Sequence, residues 1–345
     1  MITSKSPVAI MKAAFELGRQ LFADHAHKFG PQTFTEPQLF ACLALREHQK
    51  KSYRGVEALL IDCSDLRAAV GLPSAPDHNT LCRAFKRLVK SKSMNRALDL
   101  QVEQAKAKGL DVSGDDAKPS AMDSTCFESH HVSRHFERRK EETAAKAAAA
   151  TATTAADPAT AEKAGKPAGN AGTPAKKGAS RTRSKTIKAM PKLSIAVACS
   201  CHLILAARAT VGMGSDHPHF APLLFDAQRR ADVRVMTADA GYDSEENHRV
   251  GWDEAGVSTV IPPLIGRPSE NPPAGPYRRV MRELFASATV GRKTYGQRWQ
   301  VETVNSMVKR NLSSALRART PHRRSMEMLL RCVVHNIMVL EGTES

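Results

Sequence analysis

The chain has 345 residues, which favours two domains, and 41% of them are hydrophobic, enough to form buried cores. Its net charge of +16 indicates a polyanionic partner, with nucleic acid the first candidate and an anionic membrane surface a weaker second. No apolar run reaches the roughly 18 residues of a membrane-spanning helix, and seven scattered cysteines argue against a disulfide framework and for reduced thiols in a cytosol.

Residues 1–112 are predicted to form an all-helical domain. Thr35 and Gln38 have the spacing of a capping box at the start of one helix. Farther on, a basic amphipathic helix follows two short helices and a Gly-Leu-Pro turn, and Asn79 or Thr80 can cap it. This arrangement fits a helix-turn-helix-like DNA-binding domain. The candidates for DNA contact on the basic helix are Arg83, Lys86 and Arg87. The alternative is a packed helical domain with a solvated basic face.

Residues 141–185 consist mainly of Ala, Thr, Gly, Pro and Lys. A segment of this composition cannot bury enough apolar surface to offset the entropy lost on ordering. We therefore predict a disordered, flexible insertion whose basic end can touch DNA weakly.

Residues 118–140 and 186–345 alternate strand and helix patterns, which predicts an α/β domain with a mixed sheet flanked by helices. Strands are expected over residues 121–131, 192–211 (two strands and a turn), 233–239 and 257–264, and helices over 220–230, 244–255 and from about 294. The Cys-Ser-Cys-His run at 199–202 suggests a metal site, but no second ligand cluster accompanies it. Buried small side chains are the preferred interpretation there.

Two acidic residues lie in or at the end of apolar strands. Asp123 lies inside the first strand, and Asp239 ends a later one, in Asp-Ala-Gly-Tyr-Asp. A charged side chain in such a position must be paired or must coordinate an ion. Cleavage of a phosphodiester by two divalent ions needs only a few carboxylates, because water and substrate phosphate supply the other ligands. Either aspartate can instead cap a turn or a helix.

The last predicted helix carries Tyr295, Arg298, Glu302 and Lys309. At about 100° per residue, the four lie within a sector of roughly 60° on one helix face. The carboxylate suits a divalent ion and the cations suit phosphates. Taken singly, each residue has another interpretation: Glu302 can pair with Arg298, Tyr295 can be a core residue, and Lys309 can be a solvated charge.

The ordered set Asp-Ser-Thr, Asp-x-Gly-Tyr-Asp and Tyr-x2-Arg-x3-Glu-x6-Lys resembles the DDE transposases of bacterial insertion sequences. The resemblance implies an RNase H-like fold with a mixed five-stranded sheet. It also implies that Asp123, Asp239 and Glu302 are the catalytic acids and metal ligands. By the same resemblance, Tyr295, Arg298 and Lys309 position the transposon-end DNA and its phosphates.

The resemblance further implies the reaction and its partners. Water attack nicks the transposon end, and the freed 3′ hydroxyl then attacks target DNA, with Mg2+ or Mn2+, two ions in all, as the cofactor. The expected partners are terminal inverted repeats and target DNA, bound by a homodimer at the nucleoid in a bacterial cytoplasm. Only 63 residues (302 − 239) separate Asp239 from Glu302, which leaves no room for the large β-rich insert of some relatives. The alternatives are a catalytically silent DNA-binding derivative and a nuclease that does not transfer strands.

Overall fold

The computed structural model describes residues 3–25, 32–129, 190–212, 214–263, 275–286 and 294–343. The insertion predicted at residues 141–185 lies outside the described residues, as do the flanking residues 130–140 and 186–189.

The described N-terminal part is helical. Its helices are α1 (Pro7–Leu21), α2 (Glu36–His48), α3 (Tyr53–Asp62), α4 (Ser64–Ala68), α5 (His78–Leu88) and α6 (Ser91–Ala107). The capping box of α2 is confirmed, because the Thr35 hydroxyl accepts from the Gln38 N–H and the Gln38 side chain accepts from the Thr35 N–H. Helix α5 is capped by Asp77, so the expectation of Asn79 or Thr80 is wrong. The Asp77 carboxylate accepts the N–H groups of both residues, a charge-assisted cap at the positive end of the helix.

A five-stranded mixed sheet forms the centre of the rest of the chain. Its strands, in spatial order, are β4 (Leu203–Thr210), β3 (Lys192–Ala198), β1 (Ser120–Cys126), β5 (Val235–Ala238) and β6 (Ser258–Val260). The pairs β4–β3 and β3–β1 are antiparallel, whereas the pairs β1–β5 and β5–β6 are parallel. Two short strands, β2 (Glu128–Ser129) and β7 (Ala315–Leu316), pair beside it.

Helices flank this sheet and complete the described fold. They are α7 (Phe220–Gln228), α8 (Glu245–Arg249, continued by a π-helical turn at Val250–Glu254), α9 (Pro276–Ala286), α10 (Trp299–Leu312) and α11 (Pro321–Glu341). The prediction of a mixed sheet flanked by helices is confirmed. Among the described helices, none is both long and apolar enough to cross a membrane.

Alternate side chains of the sheet enter two apolar clusters. Ala121 and Ile195 pack into a cluster with residues of α1, α2, α5, α10 and α11, whereas Met122 and Ala196 pack with α7 on the other face. The first cluster therefore joins the N-terminal helices to the sheet. The boundary that the sequence suggests at residue 112 stays a prediction.

The hairpin turn between β3 and β4 contains Cys199 and Cys201, and both are buried. All seven cysteines are free thiols. Burial raises the pKa of the Cys199 thiol to about 12, which keeps the thiol protonated and unreactive. The interpretation of this run as buried small side chains agrees with the structure.

A buried ionic network links α2 to α11. Arg331 donates through Nε to Glu47 at 3.0 Å and through Nη2 to Glu327 at 2.7 Å, and all three side chains are at most 1% exposed. Arg331 also donates to the carbonyl oxygens of Ser313 and Ala315. The network therefore fixes the connection between α10 and α11, which carries β7.

Candidate active site

The sheet register brings the two strand aspartates side by side. Met122 of β1 is the register partner of Ala238 of β5. Asp123 follows Met122 inside β1, where the pairing of β1 with β5 ends, and Asp239 directly follows Ala238, the last residue of β5. Adjacent strands lie about 4.8 Å apart, and register partners project from the same face. Asp239 is exposed and accepts the Ala240 N–H at 2.8 Å.

Asp123 is largely buried beneath α10. Asn305 of α10 donates through Nδ2 to its Oδ2 at 3.0 Å, and Nη1 of Arg298 lies 4.0 Å from its Oδ1. Burial raises the pKa of Asp123 to about 6, and the charge of Asp239 adds to this rise. The Ser124 N–H, Arg298 and Asn305 oppose it in part. Two neighbouring carboxylates that are incompletely compensated form a site that a cation would stabilise.

The chain enters α10 through a tighter turn than the sequence suggests. The N–H groups of Gln297, Arg298, Gln300 and Val301 each donate to the carbonyl three residues earlier. Residues 294–296 are helical, residues 297–298 form a turn, and α10 begins at Trp299. The expectation of one continuous α-helical face from Tyr295 is therefore wrong. Three-residue winding still stacks residues that are three apart, so Tyr295 and Arg298 stay on the same side.

Arg298 is the centre of this group of side chains. Its Nη2 donates to Glu302 Oε1 at 2.5 Å, and its guanidinium lies 5.7 Å from the centre of the Tyr295 ring. Burial lowers the pKa of Arg298, but Tyr295, Glu302, Asp123 and Asp239 together raise it above its ordinary value. The guanidinium thus offsets part of the negative charge of the three acids. Tyr295 in turn packs edge-on against Phe285 of α9, with ring centres 5.3 Å apart.

Lys309 lies two turns beyond Glu302 along α10. Its ammonium is 5.5 Å from the centre of the Phe127 ring, just beyond the end of β1. Arg331 lies 5.6 Å from the same ring. The structure therefore brings Tyr295, Arg298 and the three acids together and leaves Lys309 at the other end of the helix.

The three acids do not form a closed ligand set in this arrangement. No three His, Cys, Asp or Glu side chains of the described residues lie close enough to hold a metal ion. Glu302 pairs with Arg298, and its side chain is 53% exposed. The donor chemistry is nevertheless that of a hard-cation site, since Asp123 and Asp239 are adjacent carboxylates. Beside them, the buried Oδ1 of Asn305 has no hydrogen-bond partner among the described residues.

Comparisons with known proteins decide the family. The family model described as the transposase DDE domain matches residues 116–337, more than half of the chain. The chain belongs to the transposase DDE domain family. Neither the curated proteins nor the solved structures contain a match to it. Membership of this family supports transposase function, action on DNA and use of divalent metal ions.

Backbone strain is concentrated at the two ends of α10 in the DDE domain, and one of the strained residues, Lys50, comes from the N-terminal helical part. The described non-glycine residues with positive φ are Lys50 (52°), His202 (58°) and Ser313 (92°). Ser313 ends α10, and Lys50 donates to the Arg310 carbonyl in its last turn at 2.7 Å. His202 lies against the other end. L-residues rarely adopt this backbone region, and such strain collects at functional sites.

His202 connects the beginning of α10 to the core of the DDE domain. Its Nε2 lies 2.5 Å from Gln300 Oε1, and its carbonyl accepts from Nε2 of the buried His335. The neighbouring Cys199 thiol donates to the Gln297 carbonyl at 3.6 Å. The β3–β4 turn therefore holds the segment that carries Arg298 and Glu302.

Several residues of the site were missed in the sequence. Asn305 lies three residues after Glu302 and so on the same helix face, a spacing that could have revealed it. Asp243, the last residue of Asp-Ala-Gly-Tyr-Asp, is fully buried and accepts a forked pair of bonds from Arg278 of α9. Its partner lies 35 residues away, so no local pattern predicts that pair. His202 stood out only as part of the Cys-Ser-Cys-His run, and nothing in that run predicts its contact with Gln300.

The basic helix α5 presents two of its three candidate cations to solvent without a described salt bridge. Arg83 and Lys86 are exposed. Arg87 donates through Nε and Nη2 to the Glu36 carboxylate of α2 at 2.8 and 2.9 Å. This ion pair links α5 to α2 and partly neutralises the charge of Arg87.

Proposed function

We propose that this chain is the transposase of an insertion sequence. It binds terminal inverted repeats and catalyses metal-dependent cleavage and transfer of DNA strands on an RNase H-like fold. The observation that carries this proposal is the common register of Asp123 and Asp239 on neighbouring parallel strands, with Arg298 and Glu302 above them.

The residues present fit divalent ions. Asp123 and Asp239 would supply carboxylate oxygens, Glu302 a third, and the unpartnered Oδ1 of Asn305 lies beside them. Mg2+ is usually held by one or two carboxylates together with water and phosphate oxygens, so a fully closed protein cage is not needed. When bound, two ions supply charge that stabilises the attacking and leaving oxygens of the phosphodiester.

The protein's own groups have separate tasks. Asn305 orients the Asp123 carboxylate, and Arg298 holds Glu302 and offers charge to a DNA phosphate. Tyr295 and Lys309 position the transposon-end strand. Arg83 and Lys86, with Arg87, contribute to recognition of the repeats by the N-terminal helices. We expect a homodimer that binds both ends, in the bacterial cytoplasm at the nucleoid.

The test uses labelled DNA with the terminal repeats from the flanks of the gene, a target plasmid and Mn2+. Wild type is expected to nick at the repeat boundary and to produce joined products. Asp123→Asn and Asp239→Asn are expected to bind the DNA and cleave none of it. Near-wild-type cleavage by either variant would show that the substituted aspartate is not a catalytic acid. Nicks without joined products would identify a nuclease instead.

A catalytically silent DNA-binding protein is the second candidate. The ion pair between Glu302 and Arg298 favours it, because it holds the third acid away from a ligand set. This candidate predicts specific binding to the repeats with no nicking by wild type in Mg2+ or Mn2+.

A further inference from the structure

Three cations from distant parts of the chain meet at the C-terminal end of α10. Lys5 donates through Nζ to Asn311 Oδ1 at 2.6 Å, and Lys50 donates through Nζ to the Arg310 carbonyl at 2.7 Å. Lys5, Lys50 and Arg310 are all exposed, and we call them the cation cluster. An ammonium has three donors, so each lysine keeps donors for another acceptor.

The cluster is not balanced by acids. Burial and the charges of Lys50 and Arg310 lower the pKa of Lys5, and burial with Lys5 and Lys50 lowers the pKa of His48. No described carboxylate contributes to either shift. Residues 303–326, which run through the cluster, contain six Lys and Arg and no Asp or Glu.

Two exposed arginines elsewhere on the described surface each pair with a carboxylate. Arg234 lies 2.8 Å from Asp232, and Arg249 lies 2.7 Å from Glu246. A helix C-terminus attracts one or two cations by its dipole, but it does not explain six Lys and Arg with no Asp or Glu over residues 303–326. Such a surface is electrostatically complementary to a polyanion.

Backbone strain gives a second, independent observation. Lys50 follows the end of α2 with a φ of 52°, at a position where glycine or asparagine is the usual choice. A lysine there carries a conformational cost that glycine would not. Strain of this kind clusters at functional sites.

We propose that the cation cluster binds the phosphate backbone of the duplex DNA that the DDE domain cleaves. The inference rests on the proposed function for its choice of duplex DNA. Arg310 lies eight residues after Glu302, or about 12 Å along α10 at 1.5 Å per residue. This distance corresponds to about three or four base pairs of DNA. DNA held at the acids and running along α10 would therefore bring phosphates of its flank to the cluster.

The experiment measures binding of a labelled duplex of about 30 base pairs by fluorescence anisotropy, in EDTA, between about 50 and 200 mM salt. The test protein is the full chain with Lys5→Gln and Arg310→Gln. The matched control carries Arg234→Gln and Arg249→Gln, which remove the same net charge from arginines that pair with acids. Thermal melting confirms that both variants are folded.

The cluster variant is expected to bind at least about tenfold more weakly at 50 mM salt, with a salt slope smaller by about two, because each phosphate contact adds roughly 0.9 to the slope. The control is expected to bind like wild type. Lys50→Gly, which suits the backbone but removes the ammonium, should reduce the slope by about one. Unchanged affinity and slope in the cluster variant, or an equal loss in the control, would overturn the proposal.

Two further results separate this proposal from the proposed function. If wild type nicks repeat DNA and the cluster variant binds DNA as tightly as wild type, the proposal that the cation cluster binds DNA is overturned and the proposed function stands. Weaker binding by the cluster variant in a protein that nicks nothing would support the cluster and contradict the catalytic proposal. A variant that loses binding to phosphatidylglycerol vesicles but not to DNA would overturn the choice of DNA.

Discussion

At Asp123, folding favours the neutral carboxyl group, whereas metal binding requires the carboxylate. Burial beside Asp239 raises the pKa of this carboxyl to about 6, above its ordinary value of 3.8. A raised pKa means that the folded protein binds the proton more tightly than the unfolded chain. The neutral form therefore stabilises the fold at low pH, and this stability is lost as the pH rises through about 6. Metal binding requires the ionised form.

Asp123→Asn is predicted to abolish cleavage and to stabilise the metal-free protein by about 1–3 kcal/mol at pH 7.5, because the buried charge is removed. The amide keeps an oxygen for the Asn305 donor. Urea denaturation at pH 7.5 and pH 5 measures the effect, and the gain is expected to shrink at the lower pH. A variant that is less stable than wild type at pH 7.5 would contradict this account of Asp123.

The element that matters most for activity is α10, which is held at both ends by strained residues of other elements. His202 ties its first turn to the β3–β4 hairpin, and Lys50 and Ser313 lie at its last turn. Such anchoring can fix the positions of Arg298 and Glu302 above the strand aspartates. A displacement of about 1 Å in such a group can cost on the order of 100-fold in rate.

We predict that His202→Asn lowers the cleavage rate about tenfold or more without changing DNA affinity. Asparagine tolerates the left-handed backbone, but its side chain is too short to reach Gln300. Single-turnover cleavage and anisotropy measure the two quantities separately. His322→Asn, at an exposed position, is the control. Equal loss of affinity and rate would mean that His202 affects DNA binding or folding and not the position of α10.

Periodicity and acid placement predicted most of the elements around the site. Asp123 and Asp239 were recognisable because a charge in or beside an apolar strand needs a partner, and the sheet confirms their strands. The tight turn before α10 was missed, since hydrogen bonds three residues apart leave no mark on hydrophobic spacing. Asn305, His202 and the Asp243–Arg278 pair depend on contacts across the fold, which local sequence does not encode.

For the whole molecule, the buried network of Glu47, Glu327 and Arg331 connects the N-terminal helices to the C-terminal helix. The same helices, α2 and α11, also contribute to the apolar cluster that contains Ala121 and Ile195 of the sheet. Shared apolar burial and shared buried charge favour cooperative unfolding of the described parts. We therefore expect the N-terminal helices and the DDE domain to unfold as one unit.

Arg331→Met is predicted to destabilise the protein by about 3–5 kcal/mol, because buried Glu327 would lose its cation and buried Glu47 would keep only Arg46. Urea unfolding followed by circular dichroism and by tryptophan fluorescence measures the loss and should give one coincident transition. Arg249→Met, at an exposed pair, should leave the midpoint unchanged. Two separated transitions in wild type would show instead that the N-terminal helices unfold independently.

The central claim is that Asp123, Asp239 and Glu302 act together as a metal-dependent DNA-cleaving site, and Glu302 tests it most directly. Glu302→Gln is compared with Glu246→Gln, which removes another exposed glutamate that pairs with an arginine on its own helix. Both proteins receive labelled terminal-repeat DNA and Mn2+, and the products are resolved on a denaturing gel. The account predicts nicking at the repeat boundary by wild type and Glu246→Gln and none by Glu302→Gln. Nicking by Glu302→Gln at the wild-type rate would contradict it.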